Sequence, residues 1–438
     1  MPIDVMKKIN WKEFMRHPIV EAFLENKDEN LFADNLKLFS QSDEMFQKII
    51  GRNSLSDEDI SDITNYIKSV LTRRRFIKSS AAFVLAGAGL KGDNAAMEQQ
   101  SPKRGYVNKL KIKGINYDIG TRYTPSFITR AELNPPMIKQ EMLIIKNQLN
   151  CNALRIYGER FDYLQFSSEA ALDYGFKVWF SPRFIDSTTP TAKELIIRAA
   201  IIAQKIWEMD KDTVFVIGNE FTLDMQGFVG GDTHQQRGEN LAFAIAKSFL
   251  IDYNTQLNIF LSKVVSEVRK IFGGKITYAA GFWEKVDWSL FDIVSVNKYR
   301  MFFHKLFYES QIENLKQFGK PVAITEFGCS SYKGADKWGG ASFNIVEWQQ
   351  NKRSEIKGKH IRDENVQADY IIDLLKIFVK YGIDGAFVFT FVEPQYVYDL
   401  NPKYDLDMAS LGIMKVKSDG SMEPKKSFYS IADFYKNN

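Results

Sequence analysis

From about Leu110 to the C-terminus, short apolar runs rich in β-branched residues alternate with longer stretches whose apolar residues recur every three or four positions. The first pattern suits strands buried on both faces, and the second suits helices laid over them. Strands are predicted over 111–117, 153–157, 177–180, 213–217, 276–280, 293–296, 321–325 and 385–390. Helices are predicted over 136–148, 192–208, 257–272, 305–318 and 364–381, whereas the link 283–291 is too short for a full one. Eight β/α units in one series favour a closed (β/α)8 TIM barrel over an open doubly wound sheet. No fixed signature repeats every 20–50 residues, which argues against a solenoid.

Ahead of this series, residues 11–71 read as amphipathic helix, and Ser56 followed by Glu58 and Asp59 marks a helix start. No catalytic motif lies there. Next comes Thr72-Arg73-Arg74-Arg75-Phe76-Ile77-Lys78, then a small-residue apolar run over 79–90 and polar Lys91-Gly92-Asp93-Asn94. This segment resembles a twin-arginine export signal, with Ala86-Gly87-Ala88 as the cleavage pattern. The resemblance implies recognition of Arg73-Arg74 by an export machinery and delivery to the periplasm or beyond. Because residues 1–71 precede it, the alternative is a basic linker in a cytoplasmic protein. The lone Gly87-x-Gly89 follows no strand, so it gives no reason to expect a nucleotide. The chain therefore divides into a helical extension (1–71), a signal or linker (72–96) and the barrel (97–438).

Charge and cysteine usage narrow the chemistry. A net charge of +4 spread over 438 residues, with the two signs interspersed, gives no electrostatic footprint for nucleic acid. The four histidines are scattered and the two cysteines, Cys151 and Cys329, form no metal or dithiol spacing. Cys151 precedes one predicted strand and Cys329 follows another, which puts two free thiols near opposite ends of the barrel.

In such a barrel, chemistry sits where the strands end. Strand four ends Val216-Ile217-Gly218-Asn219-Glu220 and strand seven ends Ala323-Ile324-Thr325-Glu326-Phe327-Gly328. Strands four and seven face one another, so two glutamates can converge on a sugar between them, as retaining glycoside hydrolysis requires. These two motifs resemble the acid/base and nucleophile motifs of clan A glycoside hydrolases, and the resemblance runs from 110 to about 435. It implies Glu220 as general acid/base, Asn219 as the donor to the substrate 2-hydroxyl, and Glu326 as nucleophile. Arg155 resembles the clan's strand-two arginine beside the nucleophile, and Tyr299 its tyrosine that hydrogen-bonds the nucleophile. Asp118, Arg183 and Asp186 follow other strands and are further candidate mouth residues.

The pattern departs from the clan in places. The tryptophan that usually floors the first sugar subsite after strand eight is missing from Phe387-Val388-Phe389-Thr390-Phe391-Val392-Glu393. Phe391 is the expected substitute platform, and Glu393 adds a third carboxylate near the mouth, either to bind a cationic or hydroxyl-rich group of the substrate or to serve as a salt-bridge partner. Phe221 stands where many clan members carry proline, the loop 226–232 is glycine-rich, and segment 404–412 has no counterpart in ordinary cellulases or mannanases. These features look more like bacterial barrel proteins labelled abortive infection protein. Two readings follow: a retaining glycosidase of an oligo- or polysaccharide, or a non-catalytic carbohydrate-binding or phage-defence barrel. Neither needs a cofactor. A metal-dependent hydrolase would need histidines at the strand ends, where the sequence has none. The oligomeric state is not readable.

Overall fold

The computed structural model describes residues 109–246, 253–349 and 352–438, together with isolated positions between 14 and 64. The predicted signal segment, 72–96, lies outside the described residues. The chain divides into two compact units, Met1–Val107 with Phe303–Tyr308, and Asn108–Phe302 with Glu309–Asn438. Within the first, Asp59 accepts from the Ser56 backbone N–H and hydroxyl, while the Ser56 hydroxyl accepts from the Asp59 N–H. This reciprocal pair caps the helical turn at 57–61.

The second unit is a (β/α)8 barrel. Its strands are β1 (Ile112–Asp118), β2 (Ala153–Gly158), β3 (Lys177–Pro182), β4 (Val214–Asn219), β5 (Lys275–Ala279), β6 (Val294–Asn297), β7 (Val322–Phe327) and β8 (Gly385–Val388). All pair in parallel in the order β5-β4-β3-β2-β1-β8-β7-β6. A bridge from Ala280 to Val296 closes the ring between β5 and β6, with Ala280 N–H on Ser295 O at 3.1 Å and Asn297 N–H on Ala280 O at 2.7 Å.

The main covering helices are α1 (Pro135–Gln148), α2 (Phe161–Asp173), α3 (Thr189–Met209), α4 (Tyr253–Val268), α5 (Glu364–Lys380) and α6 (Lys426–Asn437). Asn134, Thr188 and Asp363 cap α1, α3 and α5 by accepting from exposed first-turn N–H groups. The link between β5 and β6 holds only the 3-10 turn Trp288–Leu290, as its length requires. The helix expected over 305–318 is interrupted: α-helical geometry spans Tyr308–Asn314, and Leu315–Phe318 is a 3-10 turn. None of that turn is buried, so no packing holds it in an α-helix, and Gly319 ends it in the left-handed region (φ 65°).

Alternation along the strands sets the barrel's interior. Ala153, Trp179, Val214, Val216, Ala279, Ile293, Ala323 and Phe387 form one apolar plug, with the Trp179 and Phe387 rings 4.8 Å apart. Gly114 leaves room for Phe387, since a Cβ there would fall 2.2 Å from its ring. Two residues further along β2, β3 and β7 the inward positions become Arg155, Ser181 and Thr325, all buried. The barrel is thus apolar at its base and polar towards the mouth. Cys151 and Cys329 are buried free thiols.

Candidate active site

Arg155 is the centre of the polar layer. Wholly buried, it donates to Glu326 Oε1 (2.8 Å), Asn116 Oδ1 (3.0 Å), Asn219 Oδ1 (2.8 Å) and Ser181 Oγ (3.2 Å). Tyr299 donates to the other Glu326 oxygen at 2.9 Å. Burial and the neighbouring Glu326 carboxylate push the Tyr299 hydroxyl well above its ordinary range, so it remains a donor. Glu326 therefore has a cation on one oxygen and a hydroxyl on the other.

Glu220 sits in a different environment. Its Oε1 accepts from Asn297 at 2.9 Å, and the same Asn297 amide donates to Asn219 Oδ1 at 3.0 Å. Burial first, then the charges of Glu326 and Asp224, raise its pKa well above the usual carboxylate range. The two carboxyls thus differ in surroundings, Glu326 being paired with a cation and Glu220 favouring its proton. Asn219 Oδ1 is occupied by Arg155 and Asn297, while its Nδ2 has only a long 3.5 Å contact to Asp224. That leaves the amide as a donor towards the mouth.

Glu220 has a left-handed backbone (φ 39°, ψ 51°), uncommon for a residue with a side chain, and three successive N–H groups are held there. Glu220 N–H donates to Ala279 O (2.9 Å), Phe221 N–H to the Tyr278 hydroxyl (2.6 Å) and Thr222 N–H to Glu284 Oε1 (3.0 Å). Glu284 also accepts from the Thr222 hydroxyl, the Tyr278 hydroxyl and Gly281 N–H. Burial pushes its pKa up to about 7 against these four bonds. Gly218 permits the turn, because a Cβ there would meet the Phe221 ring at 1.9 Å. If Glu220 serves as a proton donor, Glu284→Ala is expected to lower kcat by roughly ten- to hundredfold with little change in KM, since displacing that carboxyl misplaces the proton and not the substrate. Steady-state kinetics beside wild type check this.

The other sequence candidates fare differently. Arg183 is in the mouth, but it is bound by Asp224 through Nε at 2.8 Å and through a second nitrogen at 3.2 Å. Burial would raise Asp224, yet Arg183 and His234 outweigh it and the pKa is lowered. Asp186 is bonded to Arg237. Asp118 accepts from Gly120 N–H at 2.9 Å and shapes its own loop, and burial raises its pKa.

Two expectations are corrected. Phe391 cannot floor a subsite, because it is fully buried beside Tyr117, with ring centroids 6.3 Å apart. The partly exposed aromatic after β8 is Phe389, stacked on Tyr157 at 5.8 Å. Glu393 uses Oε2 to accept from Ser410 Oγ (3.0 Å), Leu411 N–H (2.7 Å) and Gly412 N–H (3.2 Å). Its burial-raised carboxyl thus ties down segment 404–412, which is also held by Arg362 on Asp405 and Asp407.

Asn297, Asp224, Glu284 and Phe389 are the site residues that sequence reasoning missed. Asn297 could have been found, since it ends β6 as Asn219 ends β4. Glu284 carries no signal in the sequence, because its role depends on a loop folding under β4.

Among the described residues no group of three or more His, Cys, Asp or Glu side chains could hold a metal ion.

No family model and no curated protein matches this chain. Solved structures with similar chain traces include a GH113 β-1,4-mannanase (16% identity, 75% of this chain and 100% of that one, TM-score 0.48). Another is the GH113 β-mannanase AaManA from Alicyclobacillus acidocaldarius in complex with ManMIm (12%, 75% and 98%, TM-score 0.49). A third is a GH2 β-galacturonidase from Eisenbergiella tayi bound to galacturonate (15%, 76% and 52%, TM-score 0.48). At these identities and scores the likeness carries no argument about this chain, whose barrel rests on its own strand pairing.

Proposed function

We propose that this barrel is a retaining glycoside hydrolase that cleaves O-glycosidic bonds of an oligo- or polysaccharide. The observation that carries the reading is the unequal pair: Glu326 bonded by Arg155 and Tyr299, and Glu220 buried with its pKa raised. In the first step a Glu326 oxygen attacks the anomeric carbon as its bond to the leaving oxygen breaks, and Glu220 gives that oxygen its proton. In the second, Glu220 takes a proton from water as the water attacks the same carbon, releasing Glu326 and a sugar of retained configuration. In this reading Asn219 Nδ2 donates to a substrate hydroxyl and the partly exposed Phe389 faces the sugar ring. Every reacting group is a side chain.

The pH dependence follows from the raised Glu220. Turnover needs it protonated, so activity falls as pH rises through its pKa, and that limb lies above the usual carboxylate range. Glu220→Gln is expected to lower kcat by about 10²–10⁴-fold and to remove the alkaline limb. The effect is expected to be smallest with a leaving group such as 4-nitrophenolate, which needs little protonation. A pH–rate profile for both proteins on one aryl glycoside checks this.

The reading itself is tested by incubating the full chain with a broad panel of glycans, beside Glu326→Ala. Reducing sugar released by wild type alone supports it. Glycan binding with no release across the panel would overturn it in favour of the non-catalytic carbohydrate-binding or defence barrel.

A further inference from the structure

Three loops at the C-terminal ends of the strands bring aromatic rings together. The loop after β1 is a hairpin pairing Arg122–Thr124 with Phe127–Ile128. The loop after β7 holds the antiparallel pair Val346–Glu347 and Glu355–Ile356, with Trp348 directly after the first strand. Tyr396 lies in the strand Val392–Val397 after β8. The Phe127 and Trp348 rings are 6.5 Å apart, and Trp348 and Tyr396 are 5.3 Å apart. Trp348 is 52% exposed and Phe127 36%, so this loop chemistry leaves apolar ring surface facing water.

The strip continues into the catalytic mouth. Tyr123, on the same hairpin as Phe127, stands over the Arg183 guanidinium at 5.7 Å and within electrostatic reach of Asp118, Asp224 and Glu326. Tyr396 lies within the same reach of Tyr123 and Glu393. A substrate bond lying between Glu220 and Glu326 has its leaving group on the side of the acid, on β4. The strip lies on the β7–β8–β1 arc of the mouth, away from Glu220 after β4, and that arc is where the glycone is taken to run.

We propose that Phe127 and Trp348, with the buried Tyr396 ring packed against Trp348, form a subsite that stacks a pyranose unit of the glycone, at least one sugar beyond the ring held over Glu326. The substrate is accordingly a chain with two or more glycone units, not a single-sugar glycoside. Pyranose rings present C–H faces that pack on aromatic rings while their hydroxyls remain in water, so a partly exposed strip contiguous with a polar cleft suits them. This inference rests on the glycosidase reading for its direction, and the test separates the two.

Binding of cellohexaose, mannohexaose, xylohexaose and chitohexaose, and of the corresponding disaccharides, would be measured by calorimetry. The protein is the full chain carrying Glu326→Gln, with and without Trp348→Ala, Trp348→Phe or Phe127→Ala. At least one hexaose is expected to bind, and more tightly than its disaccharide, Trp348→Ala and Phe127→Ala to weaken hexaose binding roughly tenfold, and Trp348→Phe to recover most of the loss. Equal hexaose affinity with and without Trp348→Ala, or no hexaose bound at all, would overturn the subsite. Hydrolysis of 4-nitrophenyl monosaccharides by wild type would leave the glycosidase reading standing even then.

Discussion

Glu326→Ala is expected to lower hydrolysis by on the order of 10⁴-fold or more, because in the proposed reaction it removes the group that forms the covalent intermediate. Arg155 keeps its bonds to Asn116, Asn219 and Ser181 but loses the partner of its buried charge, so a stability cost is expected as well. Rates are therefore compared at a temperature where circular dichroism shows the variant folded. The space vacated by the carboxylate also allows a small anion such as azide to reach the anomeric carbon. With a good leaving group, azide should restore turnover and give a glycosyl azide of inverted configuration. A purely structural Glu326 would show no such rescue. Initial rates on an aryl glycoside with and without azide make the distinction.

Arg155→Ala is expected to have the largest effect on stability. Arg155 is wholly buried, and its guanidinium is the partner of Glu326 Oε1, Asn116 Oδ1, Asn219 Oδ1 and Ser181 Oγ. Removing one partner of a buried ion pair leaves the other charge uncompensated, which costs about 3–5 kcal/mol. Chemical denaturation reads this directly. Arg155→Lys separates charge from geometry, because an ammonium replaces the cation but cannot reach Glu326 and Asn219 with the two arms of a planar fork. Partial recovery of stability with little recovery of activity is expected. If Arg155→Ala unfolds at the same denaturant concentration as wild type, the polar layer does not have the organisation described.

The pattern of apolar runs placed all eight barrel strands, because strands buried on both faces cannot be confused with the amphipathic helices between them. Glu220, Glu326, Arg155 and Tyr299 were legible for a related reason: each lies on or directly after a strand, where direction alone fixes the end of the barrel that it reaches. Phe391 was misjudged because the chain turns immediately after Val388. Whether Phe389 or Phe391 faces the cleft is decided by that turn and not by alternation along β8. Glu393 was misjudged on similar grounds, since the three donors that claim its Oε2 come from Ser410, Leu411 and Gly412, well downstream in sequence. Glu284 and the Phe127–Trp348–Tyr396 strip depend on contacts between separate loops, and no local spacing encodes those. The chemistry on strand ends is written in the sequence, whereas the chemistry shaped by loops needs the fold.

The account stands most directly on Glu326 forming a bond to the sugar. The full chain would be incubated with a panel of 2-deoxy-2-fluoroglycosyl fluorides, whose fluorine slows breakdown of a glycosyl intermediate, and examined by intact-protein and peptide mass spectrometry. One adduct of the mass of the 2-deoxy-2-fluoroglycosyl group delivered by a mono- or oligosaccharide reagent, on a peptide that contains Glu326 and absent from Glu326→Gln, is the predicted result. An adduct on another residue, or glycan hydrolysis that proceeds with inversion and traps nothing, would contradict it.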